Sequence, residues 1–356
     1  MVTSEPTARP QHELPATRQP GRGRALLDAT VTLHRPLLGM VALMAGLAVV
    51  CLGGLLVDDR MLLGESVWVK PLKFALAFGV YGLTLAWLLS LPHKGSRATW
   101  WLGVVFAITG VLDVGVIALQ AARGSFSHFN NLDTDPVNQF AQRVFMSGVP
   151  GLFLASVLIM LILSWQRLLD RPTARAIHAG LALAVAAMAI GYLMGFTGKQ
   201  LVHDSSGQLV ELIAGHTVLP DGSELVARDG LPGMPLTHWS TVGGDLRIPH
   251  FVGLHAIQAL LLAVVVLAKL APRYPWLRDE RARARVIGVL ALGCAATLWL
   301  VLWQALRAQP LVHPDGLTLA LFGGLVLAVA GLLRVAYLRS REDGEGAHER
   351  RTATTS

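Results

Sequence analysis

Three short polar stretches interrupt an otherwise apolar chain, and each carries side chains that bind anions, protons or metals. The first, GESVWVKPLKF, places Lys70 and Lys73 one turn apart on a helix that Pro71 can start. Two ammonium groups on one face suit an anion or a lipid head group. The plainer alternative is that they snorkel to phosphates at a membrane edge. The second stretch, QAARGSFSHFNN, sets Gln120 and Arg123 on one helix face, with Asp113 two turns earlier on the same face. Asp113 falls inside an apolar run. An ionisable group there is costly, so it marks either a functional site or a structural hydrogen bond to a neighbouring helix. His128 and Asn130 follow in the adjoining loop, as ligands or as turn residues.

The third stretch, GGDLRIPHFVGLHAIQ, contains Asp245, Arg247, His250, His255 and Gln258. His250 and His255 are five residues apart, about 140° around a helix axis. That spacing is not the i, i+4 histidine pair of a zinc-binding HExxH helix. His255 and Gln258 share a face. A histidine at that depth acts as a ligand, a proton carrier or a satisfied structural group. The spacing also departs from the late HxxxH of ceramidase-like hydrolases. For a b-type cytochrome, His255 is one candidate axial ligand, and a second on the same side has to come from a loop histidine such as His128, His203, His216, His238 or His313.

The elements that position these residues are eight apolar runs, at about 37–57, 71–90, 99–120, 144–164, 176–197, 250–268, 286–306 and 316–338; each matches the roughly 20 residues needed to cross a hydrocarbon core. Charged residues are only 15% of the chain and mean hydropathy is +0.53, which excludes an ordinary soluble domain. Backbone groups in lipid must pair within their own segment, so the runs are expected to be helices. The expected fold is an all-α integral membrane protein, an eight-helix bundle. Of the 30 Lys and Arg, 21 fall in segments that share one side with both termini. The positive-inside bias therefore places both termini in the cytoplasm and the three polar stretches outside. The net charge of +7 is largely this topological signal and does not indicate nucleic-acid binding.

Residues 1–35 and 341–356 read as disordered cytoplasmic tails flanking a membrane domain at 36–340. Cys51 and Cys294 lie inside spans and read as buried small apolar residues. The longest connection, 198–249, is an outer loop in which QLVELIAGHTV and SELVARDG flank LPDGS; a small β-hairpin is expected about that turn. A long ordered loop of this kind is commonly a lid or a binding element.

WVKPLKF, QAARGSFSHFN and MPLTHWSTVGGDLRIPHFVGLHAIQ resemble signature stretches of a bacterial multi-span membrane protein family, over about residues 67–258. The resemblance implies a bacterial inner-membrane protein and carries over no reaction, substrate or cofactor. The reading of the residues themselves is an outward-facing polar pocket under the long loop. It gathers Lys70, Lys73, Asp113, Gln120, Arg123, His128, Asn130, Asp245, Arg247, His250, His255 and Gln258. Its cations point to an anionic lipid head group or small anion, with Asp113 and His255 as the groups for proton or metal work. This suits a transporter or lipid-handling protein. A membrane enzyme or cytochrome using His255, and a structural subunit of a membrane complex, stay open.

Overall fold

The computed structural model describes residues 33–132, 134–166, 168–220 and 227–353, with side chains described as far as residue 342. It contains eight helical segments long and apolar enough to cross a membrane. Seven are single helices or begin as one: α1 (Arg35–Val57), α2 (Val69–Ser90), α3 (Ser96–Ala122), α4 (Pro136–Ser164), α5 (Arg171–Gly191), α8 (Glu280–Leu306) and α9 (Gly316–Ala353). The sixth span is split into α6 (Arg247–Leu254) and α7 (Ala256–Leu270), with His255 at the break.

The helix starts are set by short polar caps. Asp135 accepts from the Val137 amide at 2.9 Å ahead of Pro136, and Asp170 and Asp279 cap α5 and α8 in the same manner. Each cap supplies an acceptor to an amide that has no partner within the helix, and the Pro costs nothing at the first position. The cap at Asp135 starts the fourth span about two turns before its apolar run, and so places Asn138 and Gln142 on a helix.

α3 packs on α1, α2 and α4, while α5 packs on α4, α6, α7 and α8. Small residues permit the closest approaches. A Cβ on Gly180 of α5 would lie 2.6 Å from the Ile257 Cα of α7, so the two backbones meet with no side chain between them. α9 leans on α8 and the turn at Pro275–Arg278, leaving most of its apolar surface uncovered. Large exposed apolar residues such as Leu56, Val57 and Leu327 form the outside of the bundle, a surface suited to lipid.

Two expectations change here. The last helix runs on to Ala353, where a disordered tail was expected from 341. Extending an existing helix adds a hydrogen bond per residue without a new nucleus, and Ala, Glu and Arg favour it. The other expected tail lies outside the described residues up to 32; Leu33 and His34 lead directly into α1, with the His34 ring capping the Leu37 amide.

The loop hairpin also forms one segment earlier than expected. β3 (Gln200–His203) pairs antiparallel with β4 (Leu209–Leu212) around an Asp204–Gly207 turn. Asp204 accepts from the Ser206 and Gln208 amides, and Gly207 takes the left-handed φ of 83° that the turn requires. The pairing wins because it buries Val202, Val210 and Leu212 with Phe126. The segment after it, β5 (Thr217–Val218), pairs instead with β6 (Gly244–Asp245), just before α6. Of the expected LPDGS turn, residues 221–223 lie outside the described residues.

Candidate functional site

Where the long loop meets the helix ends, the structure gathers a cluster of charges drawn from four chain segments. A two-residue hairpin, β1 (Met61–Leu62) with β2 (Glu65–Ser66), brings Glu65 onto Lys73 of α2. Lys73 also donates to the Thr237 carbonyl at 3.0 Å. Asp245, fully buried, accepts from the Arg247 Nε at 3.0 Å, from its terminal nitrogen at 2.6 Å and from the Ser240 amide at 2.8 Å. Arg247 donates in turn to the His238 carbonyl. Leu236 and His238 hold left-handed backbones at φ 67° and 51°. Such conformations cost energy in non-glycine residues and persist where surrounding contacts enforce them. Here the enforcing contacts are Lys73 and Arg247, which clamp consecutive carbonyls of the loop.

His216 completes the cluster. Its Nδ1 lies 3.3 Å from Asp229 Oδ1 and 4.0 Å from Asp245 Oδ2. Asp229 also accepts from the His216 and Thr217 amides and from Gln200 Nε2 at 2.8 Å. Burial lowers the His216 imidazole to about 4, and Arg247 and Lys70 push the same way against Asp229 and Asp245. Burial alone would raise Asp229. His216, Gln200 and the Thr217 amide together hold it below the usual carboxylate range. His128 is stacked on Phe145 at 4.2 Å and lies 5.8 Å from Phe74. Burial first, then Lys70 and His216, drive it well below its ordinary range. Both imidazoles are therefore neutral at pH 7.

Lys70 differs from its neighbours. It lies within electrostatic reach of Arg247, Glu65, Asp229 and Lys73, yet its ammonium makes no hydrogen bond or ion pair with any of the described residues. Glu65 is engaged by Lys73, Asp245 by Arg247, and Asp229 by His216 and the amides around it.

The remaining expected residues lie elsewhere. Gln120 donates to Asn138 at 3.1 Å, and Arg123 bridges Gln120 at 2.8 Å and Asp135 at 2.8 Å. Asn138 donates to the Asn130 carbonyl, and Asn130 caps the Leu132 amide. These contacts fold the 123–135 link onto α4, so Gln120, Arg123 and Asn130 shape the loop that presents His128. Asp113 points at Gly148 of α4. His250 bonds the Ala187 carbonyl of α5 at 2.7 Å. His255 stands over Phe251 at 6.0 Å, and Gln258 donates to Thr84 of α2 at 3.2 Å.

Among the described residues no hydrogen bond or ion pair joins Asp113, Arg123 and His255, so the expected single pocket is not formed by direct contacts between them. The physical reason lies in the packing: α3 meets α1, α2 and α4 most closely, whereas the sixth span packs chiefly on α5 and α8 and reaches α2 through Gln258. Lys70, Lys73, His128, Asp245 and Arg247 do come together. Glu65 and Asp229 join them and were not among the expected site residues; His216 joins them too, although it was expected only as a possible haem ligand. Their sequence signals were weak. Asp229 sits in a turn-like ARDG, and its partners Thr217, His216 and Gln200 lie 12, 13 and 29 residues earlier with no helical or strand period between them.

Comparison of the chain with protein-family models, curated proteins and solved structures finds no match.

Proposed function

We propose that this is a multi-pass bacterial inner-membrane protein with both termini in the cytoplasm, which binds a small anionic group at Lys70 on its outer face and transports or handles the molecule that carries it. The observation behind this reading is the Lys70 ammonium, which has no hydrogen bond or ion pair among the described residues while the charges around it are paired. A half-buried cation whose nearby carboxylates are engaged by other partners is costly, and an incoming phosphate or carboxylate relieves that cost. The loop backbone clamped by Lys73 and Arg247 forms the cover of the site.

The purified protein in nanodiscs tests this by thermal melting with inorganic phosphate, with a short-chain phosphatidic acid and with the matching neutral lipid. Binding a ligand at about 100 times its Kd stabilises by about 2.7 kcal/mol. Stabilisation by phosphate identifies a free anion, and stabilisation by the acidic lipid alone identifies a head group. Both should vanish in Lys70→Met. Equal melting in all three rejects the anion site.

A second reading rests on the break in the sixth span, which places His255 where helix geometry lapses. In it His255 ligates a metal or haem. Metal analysis and an absorption spectrum with a Soret band distinguish it from the anion-handling reading.

A further inference from the structure

We propose that Asp113 is a membrane-embedded proton-binding group, held in a niche that Gly148 leaves open between α3 and α4. The residue is 4% exposed and lies inside the third span, Ser96–Ala122, on the Ala122 side of its midpoint. Neither carboxyl oxygen has a hydrogen-bond partner among the described residues, and Oδ1 is fully enclosed. A Cβ at position 148 would collide with the Asp113 carboxyl, meeting its Cγ at 2.9 Å and Oδ2 at 3.0 Å. The glycine therefore makes the room the acid occupies. An apolar cluster of Val116, Ile117, Ala141 and Phe145 packs between this niche and the polar network at Gln120.

The elements packed against α3 bring few titratable groups. α1 has Arg35 and Cys51, α2 has Lys70, Lys73 and Tyr81, and α4 has Arg143; α3 itself has Arg97. Among the described residues none of these forms a hydrogen bond or ion pair with Asp113. An ionised carboxylate at this depth would have neither solvent nor a counter-charge, so the group is held as the neutral acid. A carboxyl that makes no hydrogen bond adds nothing to helix association that an apolar side chain would not supply better. What an acid alone offers there is reversible protonation. This site is separate from Lys70, so failure of the anion site leaves it standing, and the reverse.

The experiment is modification of the full protein in proteoliposomes by a hydrophobic carbodiimide, read by peptide mass spectrometry, with infrared difference spectra of the same samples. The protonated carboxyl adds across the carbodiimide and its proton goes to nitrogen. No group leaves, so the peptide gains the mass of one reagent molecule. The expected result is modification at Asp113 that is absent in Asp113→Asn and that falls about tenfold per pH unit once the acid titrates. A carboxylic-acid band that is lost in Asp113→Asn and fades over the same pH range supports the proposal even where the reagent cannot reach the niche. A carboxylate band at every pH, or an acid band that does not change with pH while the protein stays folded, overturns it.

Discussion

His216 and Asp229 meet at 3.3 Å across the base of the long loop, with the Asp229 carboxylate also capping the amides of His216 and Thr217. The pair joins the end of the β3–β4 hairpin to the Arg228–Gly230 turn, and Asp245 stands 4.0 Å away at the entrance to the sixth span. The neutral imidazole thus ties two stretches of the loop to each other.

The loop should loosen on acidification. His216 titrates at about 4 in the folded state and has an ordinary value of 6.5, so the unfolded chain binds more protons between those limits. The stabilisation is complete above about pH 6.5, falls as the pH drops toward about 4, and levels off below it. His128 is shifted in the same direction and adds to the effect. Hydrogen exchange of the 200–218 amides at stepped pH should show faster opening across that window. Flat exchange from neutral pH down to pH 4 would exclude it.

Removing Asp245 should be severe. Asp245→Ala strands Arg247 and frees the Ser240 amide, and breaking a buried pair from one side costs about 3–5 kcal/mol. A large fall in melting temperature in detergent is expected, together with protease sensitivity of the 232–246 segment. A melt within a degree of the parent would show that the pair is dispensable.

The two lysines of the second span should behave differently. Lys73→Met loses the Glu65 pair and the hold on the Thr237 carbonyl, so it should free the loop cover and lower the melting temperature. Lys70→Met removes no direct bond between described residues and relieves the cost of a buried charge, so it should hold or raise the melting temperature while abolishing anion stabilisation. Identical behaviour of the two variants would remove the distinction.

Glycine contacts give a paired test of the packing. Gly180→Ala forces a methyl against the Ile257 backbone and should cost about 1–3 kcal/mol, as overpacked cores do. Gly39→Ala has open space around it and should be neutral. The comparison is read from the two melting temperatures.

Orientation is checked at Ser206, an exposed turn residue of the loop hairpin. Ser206→Cys should react with an impermeant thiol reagent in intact cells. Reaction only after lysis would reverse the topology and place the charge cluster on the cytoplasmic side.

The membrane architecture was legible in the residues because it depends on local properties. A run of roughly 20 apolar residues must be a helix in lipid whatever its neighbours, and all eight runs are helical here. The grouping of Lys70, Lys73, Asp245 and Arg247 was legible for a related reason: charges at helix ends must stay near the interface on their own side. Which helices touch was not legible, because every span presents apolar surface all round and the choice falls to small residues such as Gly148 and Gly180. That choice turned Asp113 toward Gly148 of α4. It also lay beyond any sequence period that His216, Asp229 and Glu65 would join the cluster, since loop closure and cross-strand pairing bring them there. Composition along the chain thus determined the spans and their ends. Only tertiary packing decided which buried charge meets which partner, and which one, Lys70, has no direct bond among the described residues.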